Sequence, residues 1–197
     1  MMRPPSTRAS IAALLALISI LPWLTHSAKT SYVQEACRVT LHQDLCIQSL
    51  SPFSSTAKRS PTKWARAGVS VTITEAKKVA ALLGRLKNNK RMKGRNRAAV
   101  LDCVEVFDAA IDELHRSLGV LRRLSRRNFD SQMGDLTTWV SAALTDEDTC
   151  VEGFEGERGK VVSLLRNRVV KVGYITSNAL ALVNKLATSG FETALNM

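Results

Sequence analysis

The chain has 197 residues, of which 45% are hydrophobic and 23% are charged. This composition supplies enough apolar side chains for a buried core and excludes a broadly disordered protein. Aromatic residues make up only 5% of the chain, and glycine and proline are few, which favours an all-α protein over a turn-rich β-sandwich. The 28 Lys and Arg residues outnumber the 17 Asp and Glu residues, and the net charge of +11 indicates attraction to polyanions.

The first 28 residues have the order of a secretory signal peptide. Arg3 and Arg8 precede an apolar run from Ile11 to Leu21, and the small residues Ser27 and Ala28 follow it. The run is too short to cross a bilayer, which takes roughly 20 residues, although an uncleaved signal anchor is the alternative. We therefore predict cleavage after residue 28 and a secreted, extracellular protein, for which nucleic acid is not an expected partner.

Four cysteines follow the predicted signal peptide, at Cys37, Cys46, Cys103 and Cys150. In an oxidising compartment they indicate two disulfides, for which three pairings are possible. Nine residues separate the first two cysteines, which is about 13.5 Å along one straight helix and too far for a disulfide. A bond between them would therefore require a helical hairpin. The spacing does not match a zinc site, so no metal is expected.

Apolar residues at alternating spacings of three and four predict four long helices in the second part of the chain. The predicted ranges are roughly 62–88, 97–126, 131–146 and 158–187. The clearest seam lies in the second helix, at Val100, Val104, Phe107, Ile111, Leu114, Leu118 and Leu121. The third begins after Asp130 or Ser131 as its predicted N-cap. No proline follows Pro61, so nothing breaks these helices, and short connections predict an antiparallel four-helix bundle.

Two segments punctuate this pattern. Residues 51–61 are rich in Ser, Thr and Pro and are interpreted as a linker, and three glycines at 153, 156 and 159 mark the joint before the last helix. The predicted organisation is therefore a signal peptide at 1–28 and one domain at 29–190. Within that domain, 29–60 form an N-terminal hairpin and linker, and 61–190 form the bundle.

No pattern of residues favours an enzyme. The three histidines, His26, His42 and His115, form no recognisable catalytic motif, and the sequence contains no nucleophile elbow or phosphate-binding glycine loop. Glu105 and Asp112 belong to an acidic stripe on the second helix, but a compact bundle offers no cleft that would perturb their pKa values. We therefore expect no catalytic residue and no cofactor.

Two basic clusters occupy connections at opposite ends of the predicted bundle. The first covers residues 85–97, and the second consists of Arg122, Arg123, Arg126 and Arg127. Such runs are either solvated loops or contacts to a polyanion.

Four sequence blocks occur in an order that resembles the plant pectin methylesterase inhibitor/invertase inhibitor family. They are CRVTLHQDLC at 37–46, LDCVEVFDAAIDELHRSL at 101–118, WVSAALTDEDTCVEGF at 139–154 and ITSNALALVNKL at 175–186. The resemblance extends over about residues 31–190. It implies an all-α four-helix bundle with an N-terminal helical hairpin, and it implies disulfides Cys37–Cys46 and Cys103–Cys150.

The resemblance also implies a function outside the cell. Members are noncatalytic inhibitors secreted to the cell wall, or apoplast, where three helices of the bundle cover the target enzyme's cleft. Matched by motif, Glu105, Thr149 and, with weaker support, Asp112 are the expected interface residues; for Thr149 the alternative role is capping beside Cys150. Because the chain contains no pectin methylesterase domain after the resemblance, it is expected to be a stand-alone inhibitor.

The choice of target enzyme rests on the absence of one sequence triplet. Invertase inhibitors of this family can present Pro-Lys-Phe near the start of the last helix hairpin, and this triplet occurs nowhere in the chain. We therefore predict an inhibitor of pectin methylesterase. The alternatives are an inhibitor of cell-wall or vacuolar acid invertase and a noninhibitory basic protein that binds the wall.

Overall fold

The computed structural model describes residues 31–90 and 92–195, all of whose regular structure is helical. The predicted signal peptide lies outside this part of the chain. The first helix, α1, is described over 31–37. The remaining helices are α2 (Gln43–Leu50), α3 (Ser54–Ala57), α4 (Pro61–Lys87), α5 (Gly94–Leu121), α6 (Phe129–Glu152) and α7 (Lys160–Leu195). The prediction of an all-α protein is confirmed.

The four long helices form an antiparallel bundle. Helix α4 packs against α5 and α7, and α6 packs against the same two helices, so the order around the bundle is α4, α5, α6, α7. Contacts between the start of one helix and the end of the next show the antiparallel direction. Arg66 Nη2, near the start of α4, donates to the carbonyl oxygen of Leu121 at the end of α5, at 2.7 Å. Thr137, near the start of α6, lies 3.5 Å from the Asn184 amide oxygen of α7.

The predicted heptad seams form most of the core, and within the α5 seam Val104 and Ile111 are half-buried against it. The seams of α6 and α7 are entirely buried; they are Met133, Leu136, Val140 and Ala143 in α6, and Val162, Leu165, Val169, Val172, Thr176, Ala179, Val183 and Leu186 in α7. Helices α4 and α7 pack closely against each other at Gly68. A Cβ atom at this position would lie 3.3 Å from the Cα of Ala179 and 3.3 Å from Cδ1 of Leu182. A larger residue at this position would therefore require its neighbours in α7 to shift by a few tenths of an ångström, so the glycine is favoured by packing and not by the backbone conformation.

The two disulfides join Cys37 to Cys46 and Cys103 to Cys150. The first closes the turn between α1 and α2, so the predicted hairpin is present. The second links the start of α5 to the end of α6, with the two Cα atoms 4.7 Å apart. All four sulfur atoms belong to buried residues, and each bridge therefore fixes elements that the core already holds together.

The N-terminal hairpin is attached to the bundle through Asn178 of α7. The side-chain amide of Asn178 donates to the carbonyl oxygen of His42 at 3.0 Å, and its oxygen accepts the His42 backbone N–H at 3.2 Å. The His42 ring also stacks on Tyr174, with 3.9 Å between ring centroids. Asn178 is buried, so this pair of bonds satisfies polar groups that would otherwise be costly to bury.

Several predicted boundaries were wrong. Helix α5 ends at Leu121 and not at residue 126, because Gln132 holds the following loop: its amide donates to the Arg123 carbonyl at 3.0 Å and accepts the Ser125 backbone N–H at 2.9 Å. Helix α6 begins at Phe129 with Asn128 at the N-cap position, so neither Asp130 nor Ser131 is the cap.

Two further differences concern the segment before the bundle and the end of the last helix. The segment predicted as a linker contains a 3-10 turn, Ser51–Phe53, and the one-turn helix α3. Helix α7 extends beyond the predicted end at residue 187, with a break at Gly190, whose φ of 73° is left-handed. None of the helices in the described ranges is long and apolar enough to cross a membrane.

Candidate target-binding face

The predicted contacts Glu105 and Asp112 are both exposed on α5. They are seven residues apart, which is two helical turns or about 10 Å, and exposed Asp108 lies between them. Within the described residues, none of the ion pairs engages these three carboxylates. The acidic stripe predicted for this helix is therefore present and available to a partner.

Thr149 is exposed at the end of α6, and its hydroxyl donates to the Thr145 carbonyl oxygen at 2.8 Å. The hydroxyl proton of Thr149 is thus used in a hydrogen bond within α6, while the hydroxyl oxygen can still accept a hydrogen bond from a partner. Because the adjacent Cys150 is linked to Cys103, Thr149 and Glu105 lie at the same end of the α5–α6 pair. Asp112 lies nearer the middle.

Helix α6 extends the acidic stripe into an acidic face. Its residues include six carboxylates and neither Lys nor Arg. The exposed ones are Asp130, Asp135, Asp148 and Glu152. Helix α4, in contrast, carries six basic residues and Glu75 as its one acid. The bundle therefore has an acidic side, formed by α5 and α6, and a basic side that includes α4. The absence of Lys and Arg from 129–152 is visible in the sequence, but the predictions made no use of it.

Glu113 of α5 and Asp146 of α6 are two half-buried carboxyl groups of the helix pair whose pKa values are both raised. Burial raises the pKa of Glu113, the negative charge of Asp146 raises it further, and Arg116 partly offsets both effects. Burial also raises the pKa of Asp146. The two groups therefore retain protons to a higher pH than an ordinary Glu or Asp side chain in water.

Glu147 is a fully buried carboxyl group between α6 and α7. The hydroxyl of Thr176 lies 2.9 Å from its Oε1, whereas Oε2 has no hydrogen-bond partner in the part of the chain that the structure describes. Burial raises the pKa of Glu147 to about 8. The Thr176 bond is the next largest effect and lowers the pKa, and the charges of Asp148 and Asp146 raise it by smaller amounts. The side chain is therefore protonated at mildly acidic pH and occupies the core as a neutral acid.

The remaining titratable residues that the structure describes form no metal-binding cluster. His42 belongs to the hairpin attachment, and His115 is exposed on α5. Among the residues described by the structure, no group of three His, Cys, Asp or Glu side chains could hold a metal ion. The acidic face can therefore bind donors or cations of a partner, but it does not assemble a reaction centre.

The second basic cluster lies in the exposed loop after α5. Arg126 pairs with Glu192 of α7, with 3.0 Å between Nη2 and Oε1, and Arg123 Nε lies 3.5 Å from the Gly119 carbonyl oxygen. Arg122 and Arg127 are exposed without an ion pair in the described ranges. The loop is therefore only partly neutralised by the protein itself.

The model of the family described as "Plant invertase/pectin methylesterase inhibitor" matches residues 31–182. Pectinesterase inhibitor 6 of Arabidopsis thaliana is 46% identical over 164 residues, which cover 82% of this chain and 78% of that protein. A 21 kDa protein of Daucus carota is 36% identical over 177 residues, covering 87% of this chain and 92% of its own length.

A solved structure has the same fold. The crystal structure of a mutant form of a pectin methylesterase inhibitor from Arabidopsis superposes with a TM-score of 0.63. It covers 75% of this chain and 92% of the other, at 22% sequence identity. At this identity the likeness establishes the helical architecture alone.

Proposed function

The chain belongs to the plant invertase/pectin methylesterase inhibitor family, and from that premise we propose that it is a secreted inhibitor of a pectin methylesterase. Members of this family are inhibitors, and the chain is accordingly not an enzyme. The observation that carries the choice of target is the 46% identity with an Arabidopsis pectinesterase inhibitor. The missing Pro-Lys-Phe triplet supports the same choice.

Inhibition would occur by occlusion of the enzyme's pectin-binding cleft. A bundle held by two disulfides presents a rigid convex surface, and little conformational freedom would be lost when it binds. The exposed carboxylates of Glu105 and Asp112 would accept charge-assisted hydrogen bonds from donors at the cleft, and the Thr149 oxygen would accept a further bond. The geometry that supports this proposal is the acidic side of the bundle, on which all three residues lie.

The decisive assay compares two enzymes. The purified protein is mixed at mildly acidic pH with a plant pectin methylesterase and, separately, with an acid invertase, and both activities are measured against inhibitor concentration. The proposal predicts saturable inhibition of the esterase and unchanged invertase activity. Inhibition of invertase alone would show that the protein is an invertase inhibitor, the alternative within the family. If neither enzyme were inhibited, the remaining alternative would be a noninhibitory basic protein that binds the wall.

A further inference from the structure

A cationic groove lies on the basic side of the bundle, between α3 and the start of α4. Its volume is about 570 Å³, and no acidic residue lines it. Three cations, three hydroxyl groups and one aromatic ring contribute to its wall, from Lys58, Lys63, Arg66, Ser55, Thr56, Ser70 and Phe53. Cations and hydroxyls arranged around one concave surface match an anionic ligand that also carries hydroxyl groups.

The backbone that carries these cations is held in place by specific bonds. The Trp64 indole N–H donates to the Lys58 carbonyl oxygen at 2.8 Å, at the point where α3 ends. The Ser60 hydroxyl accepts the Lys63 backbone N–H and caps α4. The first turn of α4 contains no acid, although acidic residues are favoured at that position by the helix dipole. The positive end of the helix therefore adds to the field of the lysines.

The groove continues toward the second basic cluster. The Arg66 guanidinium donates to the Leu121 carbonyl oxygen, and Arg122 and Arg123 follow directly. The cations thus extend from Lys58 along the start of α4 to the loop after α5. Helix α4 is diagonal to α6 and adjacent to α5 in the bundle. The groove lies beside the end of α5 at Leu121, which is 16 positions or about 24 Å along the helix from Glu105, so a ligand in the groove would leave Glu105 uncovered.

The composition of the groove selects among polyanions. Nucleic acid binding would require several exposed aromatic rings for base stacking, and the groove has only the half-buried Phe53. A membrane surface would require large exposed apolar side chains beside the cations, and none of the described ones lines the groove. A polyuronate presents one carboxylate and hydroxyl groups on each sugar ring, which the lysines, the serine hydroxyls and the ring face of Phe53 can meet.

We propose that this groove binds a segment of de-esterified polygalacturonate. The identity of the ligand rests on the proposed function, since de-esterified pectin is the product of the enzyme class that the chain would inhibit. The inhibitor would then be retained where its target has acted, with one face on the enzyme and another on the polysaccharide. In this proposal the groove, and not the second basic cluster, is the main contact with the polysaccharide. The second basic cluster extends the binding surface beyond the groove.

The test measures binding of oligogalacturonides to the purified protein by calorimetry in the absence of any enzyme. The protein should bind the de-esterified oligomer and should bind the fully methyl-esterified oligomer of the same length at least about tenfold more weakly. The double variant Lys58→Gln, Lys63→Gln should lose about tenfold in affinity, because each lysine would pair with a carboxylate. The matched control, Lys77→Gln with Lys160→Gln, removes two exposed cations outside the groove and should lose less than about twofold.

If the two double variants lost affinity for the oligomer equally, the groove would be excluded as the binding site. Such a result would mean that binding depends only on the net charge of the protein. Equal affinity for a DNA duplex or for anionic vesicles at the same salt concentration would overturn the selectivity for a polyuronate. Inhibition of the esterase is assayed separately on the same variants and should be unchanged. A protein that binds the oligomer without inhibiting the esterase would contradict the proposed function and leave the groove intact.

Discussion

The Thr176 hydroxyl of α7 lies 2.9 Å from Oε1 of Glu147 of α6, and this contact joins two helices inside the core. Glu147 is fully buried, and no cation forms an ion pair with it in the part of the chain that the structure describes. The carboxyl group is accommodated because it is protonated. The bundle is therefore built for acidic surroundings, and its stability should depend on pH in a definite direction.

We expect the free energy of unfolding to fall as the pH rises from 4.5 toward 8. The pKa of Glu147 is raised from 4.5 to about 8 in the folded protein, so between these values the folded state binds the proton that the unfolded state has lost. Stability is thus highest at acidic pH and decreases until the pH exceeds the folded value. Urea unfolding across this range measures the slope of the free energy of unfolding against pH, and Glu147→Gln should remove most of that slope.

The raised pKa values of Glu113 and Asp146 should leave a weaker slope of the same sign in the Glu147→Gln variant. A slope that is unaltered in this variant would contradict the assignment to Glu147.

Removing the Cys103–Cys150 disulfide should destabilise the bundle more than removing the Cys37–Cys46 disulfide. The bonds close loops with sequence separations of 47 and 9 residues. Chain entropy then gives losses of about 4 kcal/mol and about 2.5 kcal/mol respectively. The paired variants Cys103→Ala, Cys150→Ala and Cys37→Ala, Cys46→Ala would be compared by urea unfolding. Identical melting of oxidised and reduced wild-type protein would exclude a contribution from either bridge.

Neutralising the acidic face should weaken inhibition without loss of stability. Glu105→Gln and Asp112→Asn each remove a charge from an exposed side chain of α5, and we expect an increase in the inhibition constant of about tenfold for Glu105→Gln and a smaller increase for Asp112→Asn. Glu35→Gln, which removes an exposed charge from the N-terminal hairpin, is the matched control and should leave inhibition unchanged. An equal effect of Glu35→Gln would show that only the total charge matters.

Two glycines of α4 should respond oppositely to alanine. Gly68→Ala places a Cβ atom 3.3 Å from the Ala179 backbone, so α4 and α7 must separate, and we expect a loss of about 1 to 3 kcal/mol. At Gly84 a Cβ atom meets nothing within 4 Å, and Gly84→Ala should stabilise the helix by about 0.5 kcal/mol. Thermal unfolding of both variants checks the pair. A neutral Gly68→Ala would mean that the helix contact is less close than the structure has it.

The bundle can be predicted well from the sequence because the buried side of each helix is marked by the spacing of apolar residues within that helix. The heptad spacing of Val140 and Ala143 marks the buried side of α6 without knowledge of any other helix. The same spacing continues to Glu147 and Cys150, but the predicted helix ended at residue 146, so the buried acid was not recognised. A glutamate at a core position conflicts with ordinary hydropathy, and only the position of Thr176 on a neighbouring helix resolves that conflict.

The candidate site could be predicted less completely than the fold. Glu105 and Asp112 could be placed on one helix face from their spacing, because that relationship lies within α5. The cationic groove could not be predicted in this way. It forms where α3 packs against α4, and residues 51–61 resembled a linker because Ser, Thr and Pro are abundant there. Lys58 and Lys63 both line the groove because the chain turns at Lys58, which has a φ of 48°. A lysine gives no indication in the sequence that its backbone adopts this left-handed conformation.

The separation of acidic and basic helices gives the molecule a permanent electric dipole across the bundle. An enzyme that carries positive charge around its cleft would turn the acidic face toward itself before the surfaces touch, which increases the rate of productive encounter. Added salt should therefore slow association far more than it speeds dissociation, because steering acts at long range while the docked surfaces exclude ions. We therefore expect the arrangement of charge on the four helices to influence how quickly a partner is captured as well as which face it meets.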